Sequence, residues 1–194
     1  LLFIGIGAMI DFGPLLSNPK LILFGAAAQF GIFATITCAA LWGFSLSDAA
    51  SIGIIGAADG PTAILVSQVL HSAYVGPIAV AAYSYMALVP IIQPMAIKLV
   101  TTKNERRIRM PYNPQSVSKT ARVLFPIIVT MIAGYVAPSS ISLVGMLMFG
   151  NLLRECGVLD SLSDTAQHAF SNSITLLLGL TIASTMKAEA FVNL

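Results

Sequence analysis

Charge is what this chain has least of. Asp, Glu, Lys and Arg make up 9% of its 194 residues, while 57% are hydrophobic; soluble domains carry roughly 25% charged residues. An ordinary soluble domain is thereby excluded, and with a net charge of only +2 no nucleic-acid partner is expected. Cysteine is almost missing too. Cys38 and Cys156 fit neither a metal motif nor a disulfide framework and read as reduced residues. No basic region precedes the first apolar run, and the chain opens at Leu1 inside it. It reads as a piece of a longer protein rather than one bearing a signal peptide.

What remains is apolar sequence, with a mean hydropathy of +0.87. It specifies an all-α integral membrane protein: one polytopic helical domain over residues 1–194, with room for roughly six or seven segments at about 20 residues each. Leu1–Ile10 is the tail of a segment, closed by Asp11, Gly13 and Pro14. Leu21–Trp42 is the cleanest spanning helix, with Trp42 and Phe44 suited to an interfacial belt. Tyr74–Leu99 spans next, and Pro77, Pro90 and Pro94 should kink it. Val123–Ala137 and Ile141–Leu153 are short, and Asn151, Arg154 and Glu155 mark a membrane boundary. Ser163-Asp164 can cap a helix through Phe170, and Ser173–Met186 returns to the membrane, leaving it near Lys187 and Glu189.

The bases are unevenly placed. Of ten Lys and Arg residues, seven fall between Lys98 and Arg122. The positive-inside rule puts a loop over 100–122, broken by Pro111 and Pro114, in the cytoplasm. Docking of a soluble partner or of anionic lipid is the other use of such a loop.

The organising stretch is Ser51–Val69, SIGIIGAADGPTAILVSQV. Gly56, Asp59-Gly60 and Pro61 oppose a continuous helix, and Ser47 can cap the segment that contains them. Each apolar arm has about 7–8 residues, roughly 12 Å as helix, so neither spans alone. The break is a discontinuous spanning helix or a re-entrant hairpin. Irregular backbone at that depth is tolerated only when buried in protein or lining a wet cavity. Asp59 is an acid in a membrane-like run, a functional position by default. The first arm ends in carbonyls near Ile54–Gly56, and the second begins at Pro61 with its positive end toward the break. With the Thr62 hydroxyl these are hard oxygen ligands for an alkali cation, as in the half-helix sites of secondary transporters. A tight Asx turn at Asp59-Gly60 is the plain alternative, and both can hold. If both segments span, Asp59 and Tyr85 lie within about two residues of mid-membrane. A carboxyl group there can trade a cation for a proton, with Tyr85 as relay or as a helix–helix hydrogen bond. The ligand set is partial, and inverted-repeat folds supply the remainder from a matching break in another half.

At these residues the chain resembles the membrane-embedded beta subunit of the sodium-pumping, biotin-dependent decarboxylases of oxaloacetate, methylmalonyl-CoA, glutaconyl-CoA or malonate. Ala49–Leu65 (AASIGIIGAADGPTAIL), Ala81–Met110 (AAYSYMALVPIIQPMAIKLVTTKNERRIRM) and Met148–Gln167 (MFGNLLRECGVLDSLSDTAQ) carry the likeness. The resemblance implies removal of CO2 from carboxybiotin on a carrier, with a proton consumed and sodium exported. It implies a multi-subunit complex in a prokaryotic inner membrane, with a carboxyltransferase/biotin-carrier subunit and a small membrane subunit as partners. The family's essential aspartate falls on Asp59 and its functional tyrosine on Tyr85. Sodium is expected at Asp59, Thr62 and backbone near Gly56. Two positions depart mildly, Gly56-Ala57 for Gly-Gly and Pro94-Met95 for Pro-Pro. A later family stretch of the form Asn-Pro-Leu-Ile-Gly is expected beyond Leu194. Two rival readings stand beside this one: a cation-coupled secondary transporter without decarboxylation, and a non-catalytic membrane scaffold.

Overall fold

The apolar runs become helices. In chain order they are α1 (Leu2–Met9), α2 (Gly13–Ser17), α3 (Ile22–Leu41), α4 (Leu46–Gly53), α5 (Gly60–Val69), α6 (Val75–Val100), α7 (Lys119–Val136), α8 (Ile141–Glu155), α9 (Asp160–Thr165) and α10 (Ser171–Thr185). This is a computed structural model describing residues 1–109 and 117–186, and all regular structure among those residues is helical. Pro111, Pro114, Lys187 and Glu189 lie outside them.

Several expectations need correction. The described residues contain three helices long and apolar enough to cross a membrane, Pro19–Leu41, Val75–Val100 and Lys119–Val136, rather than six or seven. At 8 residues α1 is too short, and α8 and α10 at 15 each fall below the usual crossing length. The expected 100–122 loop is narrower than its bases suggest. Lys98 belongs to α6, and α7 starts at Lys119 because the Ser118 hydroxyl accepts the Ala121 N–H at 3.2 Å. Helix α6 runs through Pro90 and Pro94, while Pro77 sits in its first turn, where a missing N–H goes unnoticed. Ser163 is no cap. It lies inside α9, which continues through a π turn at Ala166–Phe170 into α10.

The chain clusters into two compact units: Leu1–Leu21 with Asn113–Thr181, and Ile22–Tyr112 with Ile182–Leu194. In the first unit α1 and α8 cross with their backbones touching. A Cβ at Gly7 would stand 1.8 Å from the Leu147 carbonyl oxygen, and one at Gly150 1.9 Å from that of Ile4. Small residues permit this approach in membranes. Next to Gly150, Asn151 Nδ2 donates to the Ile10 carbonyl at 3.0 Å, and one turn further along α8 Arg154 donates to the Met9 carbonyl at 2.9 Å. These side chains close the carbonyl end of α1. Asn151 is only 1% exposed, so it is a helix cap in a packed interior.

In the second unit α4 and α5 form a re-entrant hairpin. Ser45, not Ser47, caps α4, its hydroxyl accepting the Asp48 N–H at 3.2 Å. Asp48 Oδ1 then accepts the Ser72 hydroxyl at 2.7 Å and the Ala73 N–H at 3.1 Å. The start of α4 is thus tied to the exit of α5, and the rings of Phe44 and Tyr74 meet edge-on at 5.9 Å beside the tie. Both ends of the segment lie on one side. It does not span.

Replacing Asp48 by Ala is expected to loosen this base. Amide hydrogen exchange at Ala73 should accelerate roughly tenfold on loss of its acceptor, and an unchanged rate would mean that the base is held otherwise.

Candidate ion-binding site

The hairpin's turn is where the irregular sequence falls. After α4, a 3-10 turn covers Ile54–Ala57; Ala58 adopts a left-handed conformation (φ 55°, ψ 34°), and Asp59 is extended (φ −131°, ψ 105°) before α5 begins. A left-handed alanine costs roughly 1–2 kcal/mol, strain of the kind that gathers at functional sites. Neighbouring helices clamp the turn. A Cβ at Gly53 would meet Ile36 Cγ1 of α3 at 2.3 Å, and one at Gly56 would meet Ile32 Cγ1 at 3.3 Å. On the α5 side, Ala63 packs with Ile78 and Ala82 of α6.

These contacts give the turn a depth. Ile32 lies about 14 Å along α3 from the hairpin base, and Tyr83, against Gly60, about 12 Å along α6. The tip therefore stands about 12–14 Å along the flanking helices from the hairpin base, although the segment never crosses.

Asp59 occupies the cap position of α5, yet its side chain caps no backbone N–H. Pro61 in the first turn has no N–H to offer. Asp59 Oδ2 instead accepts the Thr62 hydroxyl. Gly56, Ala57 and Ala58 are exposed at the tip and Asp59 is half-buried, so bare backbone borders the acid. The Ile55 carbonyl, one of the expected oxygen donors, already accepts the Ala58 N–H at 3.0 Å. No group of three His, Cys, Asp or Glu occurs among the described residues. One carboxylate with neutral oxygens suits a hard monovalent cation better than a divalent one.

Of the residues singled out from sequence, Asp59 and Thr62 are joined directly, with Gly56 on the same tip. The tyrosines divide. A Cβ at Gly60 would lie 2.8 Å from Tyr83 Cζ, so the ring of Tyr83 covers the tip. Tyr85, two residues on, projects about 160° away around α6. Both flank the face that Ala79 and Ala82 bury. Sequence spacing marks that small-residue face but not which tyrosine, Tyr83 or Tyr85, leans over the turn.

A protein-family profile described as "Na+-transporting oxaloacetate decarboxylase beta subunit" matches residues 1–194. The chain is 56% identical over 194 residues to the methylmalonyl-CoA decarboxylase subunit beta of Propionigenium modestum, covering 100% of this chain and 49% of that protein. It is 52% identical over 194 residues to the glutaconyl-CoA decarboxylase subunit beta of Acidaminococcus fermentans, covering 100% and 52%. It is 50% identical over 198 residues to the oxaloacetate decarboxylase beta chain 2 of Salmonella typhimurium, covering 99% and 46%. The chain spans about half the length of the curated relatives it matches.

Proposed function

The chain belongs to the family of Na+-transporting oxaloacetate decarboxylase beta subunits, and from that premise we propose that it carries the ion-coupling element of a carboxybiotin decarboxylase. Asp59 at the tip of a re-entrant hairpin, hydrogen-bonded to Thr62, is the observation that carries the proposal. Sodium is the cargo. Asp59 binds it with the Thr62 hydroxyl and backbone near Gly56, and further protein completes the shell, because exposed irregular backbone at this depth needs protein or water around it. When sodium leaves, a proton takes its place on the carboxylate, with Tyr85 assisting delivery. That proton is consumed as the N–CO2 bond of carboxybiotin breaks: CO2 departs and the ureido nitrogen is protonated.

The partners are a carboxyltransferase/biotin-carrier subunit and a small membrane subunit, assembled in a prokaryotic inner membrane. Relatives sharing at least half of this sequence are named for three different acyl substrates, which fits a choice of acyl group made by the carboxyltransferase. The basic connection between α6 and α7, within 100–122, faces the cytoplasm. The hairpin base adjoins the opposite end of α6, at Tyr74, so the hairpin enters from the extracytoplasmic side.

The complete complex, reconstituted in vesicles and given its acyl substrate, should accumulate radioactive sodium. Avidin, which sequesters biotin, should stop both uptake and decarboxylation. Uptake that persists under avidin overturns the proposal in favour of a secondary transporter.

A further inference from the structure

The ring of Tyr83 sits on Gly60 with its hydroxyl-bearing end nearest. From an ideal Cβ at Gly60, Tyr83 Cζ would be 2.8 Å away, Cε1 3.0 Å and Cε2 3.1 Å. The glycine is a notch filled by the phenol. Its backbone has no other need to be glycine, since φ there is not positive. Gly60 directly follows Asp59, so the phenol stands beside the turn that holds the carboxylate, and no hydrogen bond joins the two among the described residues. The phenol and the carboxylate thus stand at the same turn without a hydrogen bond between them, and a phenol oxygen held away from water takes a polar partner. The surrounding elements bring no competing charge. Helix α3 carries no charged residue, α5 none, and α4 only Asp48, held at the hairpin base; α6 adds Lys98 at its far end.

We propose that Tyr83 Oη is a further oxygen ligand of the cation bound at Asp59, held in place by the Gly60 notch. The inference rests on the sodium reading of the site. It raises the side-chain donors at the tip from two, Asp59 and Thr62, to three, and brings the new one from a spanning helix rather than from the hairpin. The ion then ties hairpin to α6, so its arrival tightens that junction and its departure loosens it. Tyr83 differs in role from Tyr85, which belongs to the proton step.

The test is equilibrium binding of radioactive sodium to the purified complete complex, without turnover. Tyr83→Phe keeps the ring in its notch and removes only the oxygen; the dissociation constant should rise about tenfold, the lower end for a lost contact to a charged partner. Gly60→Ala pushes the ring out of the notch and should weaken sodium binding similarly. In a Tyr83→Ala background the Gly60→Ala change should add nothing, because nothing is left to displace. Tyr85→Phe should leave equilibrium sodium binding unchanged while slowing turnover. Wild-type affinity in Tyr83→Phe overturns the role of Tyr83 and leaves the sodium reading intact. Absence of saturable sodium binding in the wild-type complex overturns both.

Discussion

Asp59→Asn should abolish sodium uptake and sodium-dependent decarboxylation together while leaving the hairpin folded. Asn has nearly the same volume, caps helices as well as Asp, and retains an oxygen to accept the Thr62 hydroxyl. What it loses is the negative charge. Two unit charges about 4 Å apart at an effective dielectric near 20 interact by about 4 kcal/mol, so sodium affinity should fall about a thousandfold. No other acid on α3, α5 or α6 can substitute. The coupled assay is the vesicle experiment above, with the purified variant checked for intact assembly. Full retention of uptake and turnover would remove Asp59 from the mechanism. Thr62→Val should be milder, because it removes one neutral ligand and leaves the charge.

The second large effect is expected far from any chemistry. Gly150→Ala places a methyl group 1.9 Å from the Ile4 carbonyl oxygen, and Gly7→Ala one 1.8 Å from that of Leu147. Neither obstacle is a side chain that can rotate away. The two helices must separate, and the caps that Asn151 and Arg154 place on α1 separate with them. Overpacking costs about 1–3 kcal/mol where side chains can yield; here the loss should reach or exceed the top of that range. Thermal unfolding of the purified complex would read it, with Gly31→Ala as control. A Cβ at Gly31 meets nothing within 4 Å, and alanine favours a helix interior by about 0.5–1 kcal/mol. Equal stability of the Gly150 and Gly31 variants would show that the α1–α8 crossing is loose.

How far the sequence could be read depended on the range of the interaction that decided each feature. Helices α3 and α6 were legible to within a residue, because long apolar runs bounded by polar residues act locally. The break at Gly56–Pro61 was equally plain. Its geometry was not: the hairpin closes through Asp48 and Ser72, 24 residues apart, a pairing that no local pattern announces. A spanning break and a re-entrant hairpin both fit the sequence, and the tie at the base selects the hairpin. Asn151 and Arg154 read as a boundary because polarity in an apolar chain suggests water, and here the polarity also answers the open carbonyl end of α1. The face that α6 turns to α5 could be inferred from Ala79 and Ala82, but the seat of Tyr83 on Gly60 depends on how two helices meet.

The tie between Asp48 and Ser72 bears on how such a chain is made. A segment that returns to the side it entered adds nothing to the count of crossings, so the insertion machinery handles α3 and α6 as consecutive, oppositely directed passages, with the 28 residues 45–72 as a passenger between them. Those residues are apolar enough to enter lipid but too irregular to remain there alone. They have to wait near the surface until α6 follows and supplies a wall. Synthesis order thereby bears on site assembly: the notch at Gly60 beside Asp59 can be filled only once the chain bearing Tyr83 has been made.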